Sequence, residues 1–121
     1  MNNISALRGA TTVENDSPDE IDRNIKELFE KLLDLNNLSE DDLINVHFTI
    51  TSDLKSRNPA ASLRNSNYCS NVALFCSQEA EINNMLDKVI RVMILCNKEK
   101  SQLRHVYLNR AAVLRKEYAV N

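Results

Sequence analysis

Glycine is almost missing from this chain: only Gly9 occurs in 121 residues. That excludes phosphate-cradling loops and dinucleotide fingerprints, which need several glycines to bring backbone against ligand. Positive charge is not in excess either. The net formal charge is -2 and the pI about 5.7, so the electrostatic footprint of a nucleic-acid binder is missing. No apolar stretch approaches the roughly 20 residues of a membrane span, and the N-terminus lacks the apolar region of a secretory signal. Three cysteines (Cys69, Cys76, Cys96) are an odd number without CxxC spacing, which points to reduced thiols and a cytoplasmic setting. No cluster of His, Cys and Asp has metal-ligand spacing, and no Ser-His-Asp arrangement can be assigned. What remains is 43% hydrophobic and 26% charged, the make-up of an ordinary globular protein. Residues 1–121 are expected to form one domain, long enough to bury about two thirds of its unfolded surface.

The most informative stretch is Lys88-Val89-Ile90-Arg91-Val92-Met93-Ile94-Leu95-Cys96. Its nearly continuous apolarity predicts a central strand covered on both faces. Arg91 interrupts it, on one face with Val89, Met93 and Leu95. A guanidinium keeps its proton, and burying it unpartnered costs several kcal/mol. Either a carboxylate meets Arg91, or it lines a cavity that an anion or oxygen-rich ligand enters.

Elsewhere, Ser5 to Val13 reads as a strand broken at Arg8-Gly9-Ala10, where glycine marks a bulge or a close approach. Ser17, Pro18 and Glu20 form an N-cap, N1 and N3 set with a capping box, followed by an apolar stripe Ile21, Ile25, Leu28, Phe29, Leu32 and Leu33. A long helix is therefore expected, ending at Asn36-Asn37, with a short turn over Ser39 to Asp42. Leu43 to Thr51 alternates as a strand, Val46, Phe48 and Ile50 against Asn45, His47 and Thr49, with His47 a solvent-side or hydrogen-bonded residue. Asn58-Pro59 opens a short helix through Arg64. Asn71 to Cys76 is a third strand, with Glu79 just past its end, and Ile82 to Leu86 a further short helix. Lys98-Glu99-Lys100 is a solvated turn, Arg104 to Leu108 an edge strand, and Ala111 to Leu114 an apolar tail. The sum is an α+β fold: a mixed sheet of four or five strands packed on one long helix plus short ones, with one sheet face left for another subunit.

Two segments together are specific: Leu7-Arg8-Gly9-Ala10-Thr11-Thr12-Val13-Glu14, and Arg104-His105-Val106-Tyr107-Leu108 through Ala112-Val113-Leu114-Arg115. With Cys76-Ser77-Gln78-Glu79 and Ile90-Arg91-Val92-Met93 between them, the chain resembles the AroH class of chorismate mutases over essentially its full length. The resemblance implies a homotrimer forming a pseudo α/β barrel, with sites at subunit interfaces. It also implies the unimolecular Claisen-type rearrangement of chorismate to prephenate in aromatic amino-acid biosynthesis, without cofactor, metal or nucleophile. Such catalysis rests on holding the reactive conformer and stabilising charge as the ether bond breaks. Arg91 matches the donor to the ether oxygen and Glu79 the acid at the substrate hydroxyl. Arg8 and Tyr107 match groups at a substrate carboxylate, Cys76 and Phe75 pocket contacts, Arg64 an arginine from the neighbouring subunit, and Leu114 and Arg115 a segment that closes over the ligand.

The chain departs from the family pattern at three places. Ala61 replaces a lysine at the pocket mouth, Asn58 an aromatic shield, and Phe75 a small hydroxyl residue. The lost cation implies weaker binding of a dianionic substrate, with Lys55 or Arg57 near enough in sequence to substitute. The rival reading is a non-catalytic trimeric binding or regulatory module of the same fold. Such a binder would not need Arg91 and Glu79 together with Arg8, Tyr107 and Arg115.

Overall fold

The computed structural model describes residues 3–99 and 103–120; Lys100, the end of the expected turn, lies outside them. The apolar stripe forms α1 (Pro18–Leu35), whose Ile21, Ile25, Leu28, Phe29 and Leu32 are buried. Each contributes about 1.5–3 kcal/mol of burial before chain entropy is subtracted. Ser17 caps the helix, its Oγ accepting from the Glu20 N–H at 3.3 Å. The reciprocal half of the capping box is not formed. The Ser17 N–H already donates to the Asn15 carbonyl at 2.9 Å, so the Glu20 carboxylate accepts from the Glu14 and Asn15 N–H groups instead.

Five strands form one mixed sheet: β1 (Ile4–Thr12), β2 (Leu43–Ile50), β3 (Ala73–Gln78), β4 (Val89–Asn97) and β5 (Val106–Tyr107), in the order β3-β2-β4-β1-β5. The central strand is β4, antiparallel to both β1 and β2, while β3 runs parallel to β2 and β5 parallel to β1. Parallel neighbours need a crossover, and between β2 and β3 it carries α2 (Pro59–Asn65), capped by Asn58 Oδ1 accepting from the Ala60 N–H at 2.8 Å. Two helices on one side of a mixed sheet make the fold α+β, as the residue pattern requires.

Four further expectations are corrected. β1 is unbroken, pairing with β4 from Ile4 opposite Asn97 to Thr12 opposite Val89, with no bulge at Gly9. Gly9 serves close approach instead: a Cβ there would stand 3.0 Å from Leu32 Cδ1 and 3.0 Å from the Val106 carbonyl oxygen. Ile82 to Leu86 makes only a turn, closed by the Met85 N–H on the Ile82 carbonyl, because Asn84 takes φ 65°, the left-handed region that stops a helix. The last strand is two residues long rather than five. Asn36 takes both the N–H and the carbonyl of Arg104, and the His105 Nδ1 accepts the Arg8 N–H that a longer ladder would use. Finally, past Val89, which is buried, β4 is covered on one face only in the single chain. Ile90, Val92, Ile94 and Cys96 are buried toward the core, but Met93 on the other face is 46% exposed.

Candidate active site

On that open face the register places side chains in two rows across the sheet. Ser77, Thr49, Arg91, Ala10 and Tyr107 stand opposite one another from β3 to β5, and Phe75, His47, Met93 and Arg8 make the neighbouring row. A hollow of about 290 Å³ lies over them, lined by Arg8, Gly9, His47, Thr49, Glu79, Arg91, Val92, Met93 and Tyr107. Two guanidiniums face one carboxylate there, so the lining is net positive and suits an anionic ligand.

Arg91 meets a carboxylate and also borders a hollow. Its Nε lies 3.0 Å from Glu79 Oε1, and its side chain, 42% exposed, still lines the hollow. At this exposure the ion pair is worth about 1 kcal/mol or less to folding. Glu79 is held at the end of β3 by its own N–H on the Ile50 carbonyl (2.8 Å), and its Oε1 also accepts from Thr49 Oγ1 at 2.8 Å. Among the described residues no ion pair engages Arg8, an exposed residue of β1. Tyr107 is buried, its ring 6.1 Å from that of Tyr118.

Four of the nine site residues named from the sequence therefore meet: Arg8, Glu79, Arg91 and Tyr107. The other five stand outside the lining of this hollow in one protomer. Cys76 points from the opposite side of β3 and packs against the core, where burial pushes its thiol pKa up. Phe75 is 68% exposed on the open face, its ring edge-on to His47 at 5.6 Å. Arg64 is exposed on α2. Leu114 packs against the small cluster of Ala10, Tyr107 and Ala111. Arg115 pairs with Glu117 at 3.3 Å and lies over the Tyr118 ring. Of the two cations near the absent lysine in sequence, Arg57 pairs with Asp22, its Nη2 donating at 3.2 Å, and Lys55 is exposed.

His47, Thr49 and Met93 line the hollow and were not named from the sequence as site residues. Alternation in β2 puts His47 and Thr49 on one face, but only the register shows that this is the face of Arg91. Among the described residues no group of three His, Cys, Asp or Glu side chains could hold a metal ion, and no helix is long and apolar enough to cross a membrane.

Comparisons with known proteins show the family. The family profile for chorismate mutase type I matches residues 4–118. The chain is 35% identical over 119 residues to chorismate mutase AroH of Bacillus subtilis, covering 97% of this chain and 94% of that protein. It is 39% identical over 115 residues to chorismate mutase AroH of Thermus thermophilus, covering 93% of each. The solved structure of a chorismate mutase from Clostridium thermocellum superposes with a TM-score of 0.85 at 42% identity, covering 90% of this chain and 98% of that one.

Proposed function

This chain belongs to the type I chorismate mutase family and rearranges chorismate to prephenate; we propose that it does so in the hollow around Arg91. The observation that carries the assignment of the site is the meeting of Arg8, Glu79, Arg91 and Tyr107 over one hollow, from four separate parts of the chain.

Chorismate brings two carboxylates, a ring hydroxyl and an enolpyruvyl ether. Its rearrangement breaks the ether C–O bond while a C–C bond forms, with no proton or electron supplied from outside. The protein has only to hold the folded conformer and to meet the negative charge that grows on the ether oxygen. Arg91 is the group for that charge: its guanidinium stays protonated, and β4 fixes its stem among apolar neighbours. Glu79 balances Arg91 and accepts from the ring hydroxyl of the substrate. Arg8 and Tyr107 receive a carboxylate.

The protomer supplies only part of such a site, and a homotrimer completes it. The neighbouring subunit brings Arg64 to the hollow, Phe75 lines it at the interface, and Leu114 and Arg115 close over the ligand; Cys76, whose thiol faces the core, reaches the ligand through its backbone alone. Support comes from the open sheet face, where Phe75 and Met93 remain exposed in the single chain. No cofactor or metal takes part, and the enzyme works in the cytoplasm. With Ala61 and Asn58 in place of the lysine and aromatic residue, KM for chorismate is expected to exceed that of relatives that carry them.

The test is loss of the ultraviolet absorbance of chorismate with purified protein. Arg91→Ala should lower kcat by at least about 10²- to 10³-fold, the usual cost of deleting one oxyanion donor. Equal rates in the variant and the parent would remove Arg91 from the chemistry and the hollow from consideration.

A further inference from the structure

We propose that Thr49 is a positioning residue for the rearrangement: its hydroxyl fixes the Glu79 carboxylate so that Arg91 is left free to face the substrate. The proposal rests on the assignment of the hollow as the active site. It adds a group that was not among the site residues read from the sequence.

Thr49 stands directly opposite Arg91 across the β2–β4 ladder and opposite Ser77 across the β2–β3 ladder. Its Oγ1 donates to Glu79 Oε1 at 2.8 Å, and that same oxygen lies 3.0 Å from Arg91 Nε. One carboxylate oxygen thus takes both protein contacts. Among the described residues neither Nη nitrogen of Arg91 hydrogen-bonds a protein acceptor, although five N–H donors belong to the guanidinium.

This arrangement is not the one an arginine and a carboxylate adopt when left to themselves. They favour a two-point fork, with two parallel N–H···O bonds, that would commit one Nη nitrogen to Glu79. A hydroxyl on Oε1 opposes that rotation, because the directed Thr49 bond holds Oε1 and the carboxylate plane, and turning that plane to bring Oε2 onto an Nη nitrogen bends the bond away from its preferred angle. Thr49 is well suited to the task. Its β-branched side chain has restricted χ1, and β2 is held on both sides by neighbouring strands. Its hydroxyl can donate while retaining lone pairs of its own. Thr49 therefore acts through Glu79 on Arg91 and need not touch the reacting atoms.

The decisive variant is Thr49→Val, which keeps the branch and the strand propensity and removes the hydroxyl. Steady-state kinetics should show kcat down about tenfold, the scale of a lost hydrogen bond to a charged group, with KM moved less than about twofold. Thr49→Ser should recover most of the lost rate, since it restores the donor without the methyl group. In a Glu79→Ala background, Thr49→Val should add no further loss, because the hydroxyl then has no carboxylate to hold. A valine variant as fast as an active parent would overturn the role of Thr49 while leaving the site assignment standing. So would a serine variant as slow as valine, or a full additional tenfold loss in the Glu79→Ala background. A parent protein that leaves chorismate unchanged would overturn both.

Discussion

Phe48 and Phe75 sit on neighbouring parallel strands, yet Phe48 is 1% exposed beneath α1 and Phe75 is 68% exposed on the opposite face. The two phenylalanines divide the molecule into regions with different tasks. The face toward α1 carries Leu7, Val46, Phe48, Ile90, Val92 and Ile94, all buried, and there the free energy of folding accumulates through area removed from water. The other face carries Arg8, His47, Thr49, Arg91 and Met93 in two transverse rows. Apart from the small cluster of Ala10, Tyr107 and Ala111 near β5 it buries little in the single chain, and its order comes from the ladders beneath it. One face makes the sheet rigid; the other uses that rigidity to hold charges in place.

The largest effect that would break this comparison is truncation of the two rings in parallel. Phe48→Ala should destabilise the protein by about 3–5 kcal/mol, as expected for a large core side chain replaced by methyl. Phe75→Ala should change the unfolding free energy of the isolated chain by about 0.5 kcal/mol or less, while weakening self-association if the open face is the subunit interface. Denaturant titration and analytical ultracentrifugation measure the two quantities separately. A Phe75→Ala protein that unfolded as readily as Phe48→Ala would erase the distinction between the faces.

A smaller effect sharpens the same comparison at one strand. Gly9 faces α1, and a Cβ there would press on Leu32, Leu28 and the Val106 carbonyl oxygen. Gly9→Ala is therefore expected to cost about 1–3 kcal/mol through overpacking, although alanine suits a strand better than glycine. The carbonyl belongs to backbone and yields less readily than a leucine methyl. A thermal melt equal to that of the parent would mean that α1 rides on β1 less tightly than the distances imply.

Periodicity and capping residues made α1, β2, β4 and α2 legible, because each is governed by neighbours within a few positions. The same signals failed where a distant partner decides. Nothing near Arg104 says that Asn36 will take its backbone groups, and nothing near Ile82 overrides its apolar spacing except the left-handed Asn84. The site was legible to a similar depth. An arginine in an apolar strand is conspicuous on its own, and Glu79 past a strand end is suggestive. Arg8 and Tyr107 joined them through resemblance alone, since each would otherwise read as an ordinary surface or core residue. Thr49 and His47 could not be placed without register, which alternation leaves undetermined by any even shift. The continuous apolarity of β4 was misleading for an understandable reason: Val89, Met93 and Leu95 are apolar on the face that α1 does not cover.

The smallest expected effect concerns how the covered face is fastened at its start. The Glu20 carboxylate has its pKa lowered chiefly by the Glu14 backbone N–H, with the Asn15 N–H and side-chain amide adding to it. These bonds tie the exit of β1 to the first turn of α1. A carboxyl group whose pKa is lower folded than unfolded stabilises the fold at pH values above its unfolded value, about 4.3, and that contribution is lost as pH falls through the folded value. Glu20→Gln keeps one acceptor but no charge, so it should melt below the parent at pH 7. The gap should close as the pH is taken down toward 3. The pH 7 difference should be modest, because Glu20 works at the solvent-facing end of the helix. Melting curves of both proteins across that range decide the matter: parallel curves with a constant gap would mean that shape, not charge, fastens the helix to the strand.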